Sequence, residues 1–164
     1  MDASAISQII FLIILLIFSA FFSSAETALT TVNKIRMRTL ADDGNKRAER
    51  VLRITDDSHK MLSAILIGNN IVNLSASSLA TTLAIKLWGS VGAGIATGIL
   101  TFLILVFGEI SPKTFATLYA DQISIAYSGI IGFLMKILTP VIFLVNQFSM
   151  GFLFLLHMDP KANN

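Results

Sequence analysis

The chain has 164 residues, of which 54% are hydrophobic and only 13% are charged, a composition too apolar for an ordinary soluble domain. Its mean hydropathy is +0.76, and several apolar runs have the length of about 17 to 25 residues that crosses roughly 30 Å of hydrocarbon. We therefore predict an all-α integral membrane protein. The chain contains no cysteine, which excludes disulfides and thiolate metal sites.

The first apolar run predicts a transmembrane helix over about residues 6–31. A secretory signal peptide is the alternative, because small residues follow the apolar core. However, the residues before the core include Asp2 and no lysine or arginine, whereas a signal peptide begins with positive charge. We expect a retained helix with its N-terminus outside the cell.

Residues 33–60 form a basic segment that holds eight of the twelve lysines and arginines. Because positively charged loops stay on the cytoplasmic side of a membrane, we expect a cytoplasmic loop and a first helix that runs from outside to inside. This rule explains the charge without a nucleic-acid partner, and we expect none. The loop should form one or two short surface helices that break near Asp43, Gly44 and Asn45.

Two further spans are predicted at residues 61–87 and 90–108. The third span contains Gly94 and Gly98, a GxxxG spacing that indicates either helix packing within one subunit or a dimer face. Both interpretations are open from the sequence.

The last apolar region, residues 123–156, is interrupted near Lys136 and at Thr139 and Pro140. It can form a kinked fourth span or a helical hairpin that is re-entrant or juxtamembrane. The hairpin is favoured because Lys136 must reach an interface or water. Residues 158–164 are expected to begin a cytoplasmic region that this chain lacks.

Polar side chains occur inside each of the three predicted spans. Two pairs have a spacing of four residues, which places each pair on one helix face. Taken singly, the neutral side chains are explained by hydrogen bonds between helices, and the carboxylate by an ion pair with Lys113. Jointly they favour a shared site in the middle or inner half of the membrane. The set is Ser19 and Ser23, Asn69 and Asn73, and Glu109.

These side chains present oxygen and no sulfur or strong nitrogen ligand, so they favour a hard cation over zinc or copper. Mg²⁺ suits one carboxylate with neutral oxygens, and Na⁺ is also compatible. We expect Gly108 and Pro112 to expose backbone carbonyls by ending the third helix. No nucleophile–base pair or phosphate-binding loop is visible, so we expect no enzyme.

Residues 18–29, 68–73 and 108–113 resemble, in this order, the three signatures of the DUF21 transmembrane domain of the CorC and cyclin M (CNNM) divalent-metal transport family. The resemblance implies a homodimer of three-span subunits with a helical hairpin, in the cell membrane, with the N-terminus outside and the C-terminus cytoplasmic. It also implies Mg²⁺ export, with Na⁺ as a proposed coupling ion.

Carried onto matching positions, the resemblance implies Mg²⁺ ligands at Ser19, Ser23, Asn69, Asn73 and Glu109, with a carbonyl from Gly108. Relatives carry a cytoplasmic CBS-domain pair that binds ATP-Mg²⁺, and a CorC/HlyC domain, both of which this sequence lacks. Two other functions stay open. One is export of organic cations such as diamines, and the other is a membrane anchor or ion-sensing regulator of other transporters that moves no ion itself.

Overall fold

The computed structural model describes residues 3–157, and this part of the chain is helical without any strand, which confirms the all-α prediction. The expected start of a cytoplasmic region at 158–164 lies outside the described residues. In chain order the helices are α1 Ala3–Thr31, α2 Lys34–Asp42, α3 Lys46–Asp56, α4 Ser58–Trp88, α5 Gly92–Leu103, a π-helical segment Ile104–Ile110, α6 Ser111–Leu118, α7 Ala120–Ile137 and α8 Thr139–Leu155.

Three helical stretches within residues 3–157 are long and apolar enough to cross a membrane: α1, α4 and the continuous stretch Gly92–Leu118. They contain 29, 31 and 27 residues, so each rises about 40 Å or more and exceeds the roughly 30 Å hydrocarbon core. Large apolar side chains on their outer faces are exposed, as lipid contact requires. The chain is therefore an integral membrane protein.

The antiparallel pair of α1 and α4 forms the centre of the bundle. Near one end, the Lys86 ammonium donates a hydrogen bond to Ser4 Oγ at 3.4 Å, and farther along Ser19 Oγ donates to Asn73 Oδ1 at 2.8 Å. An advance of 15 residues along α1 thus corresponds to a step back of 13 residues along α4, as in an antiparallel pair. This register decides which polar side chains of the two helices meet.

The basic segment folds into α2 and α3, with the break where the sequence placed it. Asn33 and Asn45 cap the two helices by accepting hydrogen bonds from backbone N–H groups. Gly44 between the helices has a φ of +96°, a conformation that L-residues rarely adopt. The apolar face of α3, including Val51 and Ile54, is buried in the core, so the segment is part of the packed structure.

Helix α7 is anchored at its start by Asp121. This carboxylate accepts a hydrogen bond from the Asn33 backbone N–H at 3.0 Å and forms an ion pair with Arg36 at 2.9 Å. Farther along α7, Gly132 faces Ile54 of α3. Helix α7 therefore packs against the helices of the basic segment, and it closes that end of the bundle.

Helix α8 follows α7 after a break at Leu138, and the two helix axes differ by 64°. This bend fits both a broken fourth span and a re-entrant segment, the two arrangements that the sequence left open. His59 at the start of α4 contacts Asn146 of α8, with Nε2 and Oδ1 3.3 Å apart. Lys136 next to the break is exposed, as expected.

The third span does not end at Gly108, and the expectation that it ends there to expose backbone carbonyls is wrong. The helix continues through the π segment into α6, and the Ser111 N–H donates to the Val106 carbonyl five residues earlier. Pro112 falls in the first turn of α6, where a missing N–H is tolerated. The wider π turn accommodates the proline, so the helix is altered but not ended.

Gly94 and Gly98 of α5 do not mediate packing within the subunit. A Cβ atom built at either position would have no neighbour within 4 Å. The glycine used for close packing in α5 is instead Gly92, where a Cβ would lie 2.4 Å from the Ala84 carbonyl oxygen of α4. The GxxxG face points away from the protomer.

Candidate cation site

The candidate site begins at a hydrogen bond between the first two spans. Ser19 is 1% exposed, and its hydroxyl donates to Asn73 Oδ1 at 2.8 Å. Two residues predicted from the sequence as members of one site are therefore in direct contact. This bond alone is explained by helix packing. Whether the cluster can also bind a cation depends on the groups around it.

The backbone of the third span reaches the same point. A Cβ atom built on Gly108 would lie only 2.9 Å from Ser19 Oγ, a distance that only glycine permits without a shift. Gly108 is buried in the π segment. Helices α1 and α4 and the third span therefore meet at Ser19, with a hydroxyl, a carboxamide and a peptide backbone side by side.

Ser23 and Asn69 each lie one helical turn from this contact, four residues on along α1 and four residues back along α4. Ser23 Oγ and Asn69 Oδ1 are both buried, and neither has a hydrogen-bond partner among the described residues. A buried polar atom without a partner costs about 1–3 kcal/mol, and few such atoms occur in folded proteins. Two at equivalent positions of one helix pair indicate a missing polar partner.

The π segment supplies further free oxygen. The backbone N–H at position 112 would donate to the Gly108 carbonyl in an α-helix and to the Phe107 carbonyl in a π-helix. Pro112 has no N–H and donates to neither. At least one carbonyl beside Glu109 therefore lacks its usual donor within the helix. π-helical turns occur frequently at functional sites for this reason.

Glu109 is half-buried and directly follows Gly108, so its backbone lies beside the cluster. In the described part of the chain it forms no ion pair with Lys113, and the ion pair present there joins Arg36 to Asp121. The structural interpretation of Glu109 as a partner of Lys113 is therefore wrong. Among residues 3–157, no cationic side chain forms an ion pair with its carboxylate.

The other polar residues of α4 lie outside the cluster. Asn70, Ser75, Ser77 and Ser78 are exposed, and the Thr82 hydroxyl bonds to the Ser78 carbonyl of its own helix. Within residues 3–157, no three histidine, cysteine or acidic side chains are grouped as a metal site would require. A cation at this position would therefore be held mainly by neutral oxygens.

Two features were missed by sequence reasoning. The π segment has one available signal, a glycine four residues before a proline inside an apolar helix, which removes one α-helical hydrogen bond. The second feature is Ser124 of α7, whose buried Oγ also lacks a partner among the described residues. The sequence of an amphipathic helix does not indicate whether a single serine in it is buried or exposed.

The sequence of the chain is similar to known proteins along most of its length. The family model of the cyclin M transmembrane N-terminal domain matches residues 10–164. The chain is 45% identical over 150 residues to a UPF0053 protein of Haemophilus influenzae, which covers 91% of the chain and 36% of that protein. It is 41% identical over 131 residues to a UPF0053 inner membrane protein of Escherichia coli, with 80% and 31% covered.

A chloroplastic DUF21 domain-containing protein of Arabidopsis thaliana is 38% identical over 156 residues, which covers 94% of the chain and 24% of that protein. The chain thus spans about a third or less of the length of these curated relatives. Its helical architecture, its three apolar spans and the family match over residues 10–164 lead to one conclusion. The chain belongs to the cyclin M (DUF21) transmembrane-domain family.

Proposed function

We propose that the chain transports Mg²⁺ through the cluster of Ser19, Ser23, Asn69, Asn73, Gly108 and Glu109. The observation that carries the proposal is the pair of buried oxygens on Ser23 and Asn69 that lack any partner among the described residues. They lie one turn from the Ser19–Asn73 contact. Family membership is consistent with ion transport in general. The oxygen ligands suit a hard cation, and the family resemblance implies that this cation is Mg²⁺.

The donor set suits a small hard cation. Hydroxyl, carboxamide and carbonyl oxygens replace part of the hydration shell, and waters complete an octahedron with distances of about 2.0–2.1 Å. The Glu109 carboxylate supplies one negative charge against two positive charges on the ion. Partial neutralisation keeps binding weak enough for release, which conduction and transport require. Na⁺ as a coupling ion would use the same oxygens.

The proposed topology places the basic helices α2 and α3 in the cytoplasm, because positively charged segments remain on that side. The N-terminus is then outside, and the C-terminus is cytoplasmic.

We also propose a homodimer that uses the outward face of α5. Gly94 and Gly98 have no contact within the protomer, and small residues permit close helix approach in lipid. The direction that we propose for Mg²⁺ is export, which the resemblance to the cyclin M family implies.

Replacement of Glu109 by glutamine tests the anionic ligand. We expect Mg²⁺ flux into or out of proteoliposomes to fall at least about tenfold, because interactions with a charged partner contribute about 1.5–3 kcal/mol. The matched control is Glu26→Gln, another half-buried carboxylate of a spanning helix, which should transport normally. Wild-type flux from Glu109→Gln would contradict the proposal. Transport of diamines by the wild-type protein would favour the exporter of organic cations. A wild-type protein that moves no ion at all would favour the regulator.

Replacement of Ser23 by alanine separates a ligand from a packing residue. Removal of a buried hydroxyl without a partner should stabilise the Mg²⁺-free protein by roughly 1 kcal/mol, while the rise in melting temperature caused by added Mg²⁺ should shrink. Ser77→Ala, at an exposed position of α4, should change neither quantity. A Ser23→Ala variant that is destabilised yet keeps the full Mg²⁺ response would show that the hydroxyl only supports packing.

Replacement of Gly108 by alanine tests the close approach of the third span. The added methyl group would lie 2.9 Å from Ser19 Oγ, so it must displace the hydroxyl or the π segment. We expect the apparent Mg²⁺ affinity to weaken roughly fivefold or more, which corresponds to the loss of one polar contact. Gly151→Ala in α8 meets nothing within 4 Å and serves as the control. Equal affinities in the two variants would remove Gly108 from the site.

Single cysteines test the assembly and the topology, because the native chain contains none. A Gly94→Cys variant should form a disulfide-linked dimer in membranes after mild oxidation, whereas an Asn45→Cys variant should react with an impermeant maleimide from the cytoplasmic side alone. Asn45 is the N-cap of α3, outside the three helical stretches that are long enough to span a membrane. If the Gly94→Cys variant remains monomeric after oxidation, this dimer face is wrong. If the Asn45→Cys variant is labelled from outside the cell, the proposed topology is inverted.

A further inference from the structure

A second cavity, unrelated to the cluster above, lies between α3 and α7. It has a volume of about 550 Å³ and extends to the start of α4. Its charged lining consists of Arg50, Arg53, Lys60 and Lys136, with the single acid Asp57. The formal charge of this lining is four positive minus one negative, or +3. Nothing in the proposed cation transport uses this cavity.

The four cations of the lining outnumber its one acid. Within residues 3–157, none of them forms an ion pair, and the ion pair present there joins Arg36 to Asp121. Glu49 precedes Arg53 by four residues, a spacing that permits pairing on a helix, but the two side chains do not pair. Four cations around one cavity repel each other, so an anion inside it would stabilise the arrangement.

The shape of the cavity depends on two glycines of α7. A Cβ built on Gly129 would lie 2.9 Å from Arg50 Nη1, and one built on Gly132 would lie 3.4 Å from Ile54 Cδ1. The Arg50 guanidinium therefore lies close against the backbone of α7, in the lining of the cavity. Arginine in this position can bind phosphate oxygens with two hydrogen bonds.

One wall of the cavity is apolar and continues onto the outer surface of α7. Phe133 lines the cavity and is 62% exposed. Its neighbours on that surface, Ile130 and Ile137, are about half exposed. In a membrane protein such a face meets acyl chains, so the charged cavity opens beside hydrocarbon. A free inorganic anion has no use for the apolar wall, whereas a phospholipid uses both parts.

We propose that this cavity binds the headgroup phosphate of an anionic glycerophospholipid, with the acyl chains along Phe133 and the outer face of α7. Basic pockets between helices at the membrane surface are suited to such headgroups. The bound phosphate bridges α3, the start of α4 and the end of α7. The lipid therefore holds together the three elements that close the basic end of the bundle, independently of the cation site.

Native mass spectrometry of the purified chain with short-chain phosphatidylglycerol tests the proposal. The Arg50→Gln/Lys136→Gln variant should lose affinity about 25-fold, or about fivefold for each charge removed. The matched control is Lys46→Gln/Arg47→Gln, which removes two exposed charges from the first turn of α3 outside the cavity lining. It should retain the lipid to within about twofold. If the double variant does not fold, the single Arg50→Gln variant tests the site, and its lipid affinity should fall about fivefold.

Further arms identify the ligand source. Short-chain phosphatidylcholine should bind much more weakly than phosphatidylglycerol, and inorganic phosphate in about tenfold excess should leave the lipid bound. If the cavity and control variants lose lipid affinity equally, the effect comes from net charge, and the proposed lipid site is wrong. Equal binding of the two lipids, or displacement by inorganic phosphate, would overturn the assignment to an anionic lipid.

Discussion

The hydrogen bond from Ser19 to Asn73 is the contact on which the rest of the site depends. It fixes the register of α1 against α4 inside the membrane, where a polar side chain has few alternative partners. Ser23 and Asn69 each lie one helical turn from this contact on their own helices, and Gly108 is the residue of the third span that fits against Ser19. A slip of one residue between the helices would separate all of these groups.

The third span meets this pair through a local change of helix type. The π segment and Pro112 remove regular hydrogen bonds from the carbonyls near Glu109, which costs free energy because a carbonyl is left without its donor. The two unpaired buried oxygens on α1 and α4 are a similar cost. Three separate local penalties at one level of the bundle are explained together if a cation is the partner that satisfies these oxygens.

Much of this architecture follows from short-range features of the sequence. Apolar run length predicts the spans because the bilayer thickness is fixed, and the four-residue spacings predict which side chains share a helix face. The caps at Asn33 and Asn45 and the turn at Gly44 are equally local. The π segment and the packing of α7 against α3 could not be predicted this way. The π segment reflects a small difference between two hydrogen-bond patterns. The packing of α7 against α3 depends on contacts between distant residues such as Gly132 and Ile54.

The central claim is that the Ser23 and Asn69 oxygens bind a cation. Crystals grown with Mn²⁺, which replaces Mg²⁺ and scatters anomalously, measure this directly. The account predicts one anomalous peak within about 2.0–2.4 Å of Ser23 Oγ and Asn69 Oδ1, with the Glu109 carboxylate bound directly or through a water. A structure at saturating Mn²⁺ in which these oxygens contact only water or neighbouring side chains, and no peak lies between the three spans, would contradict it.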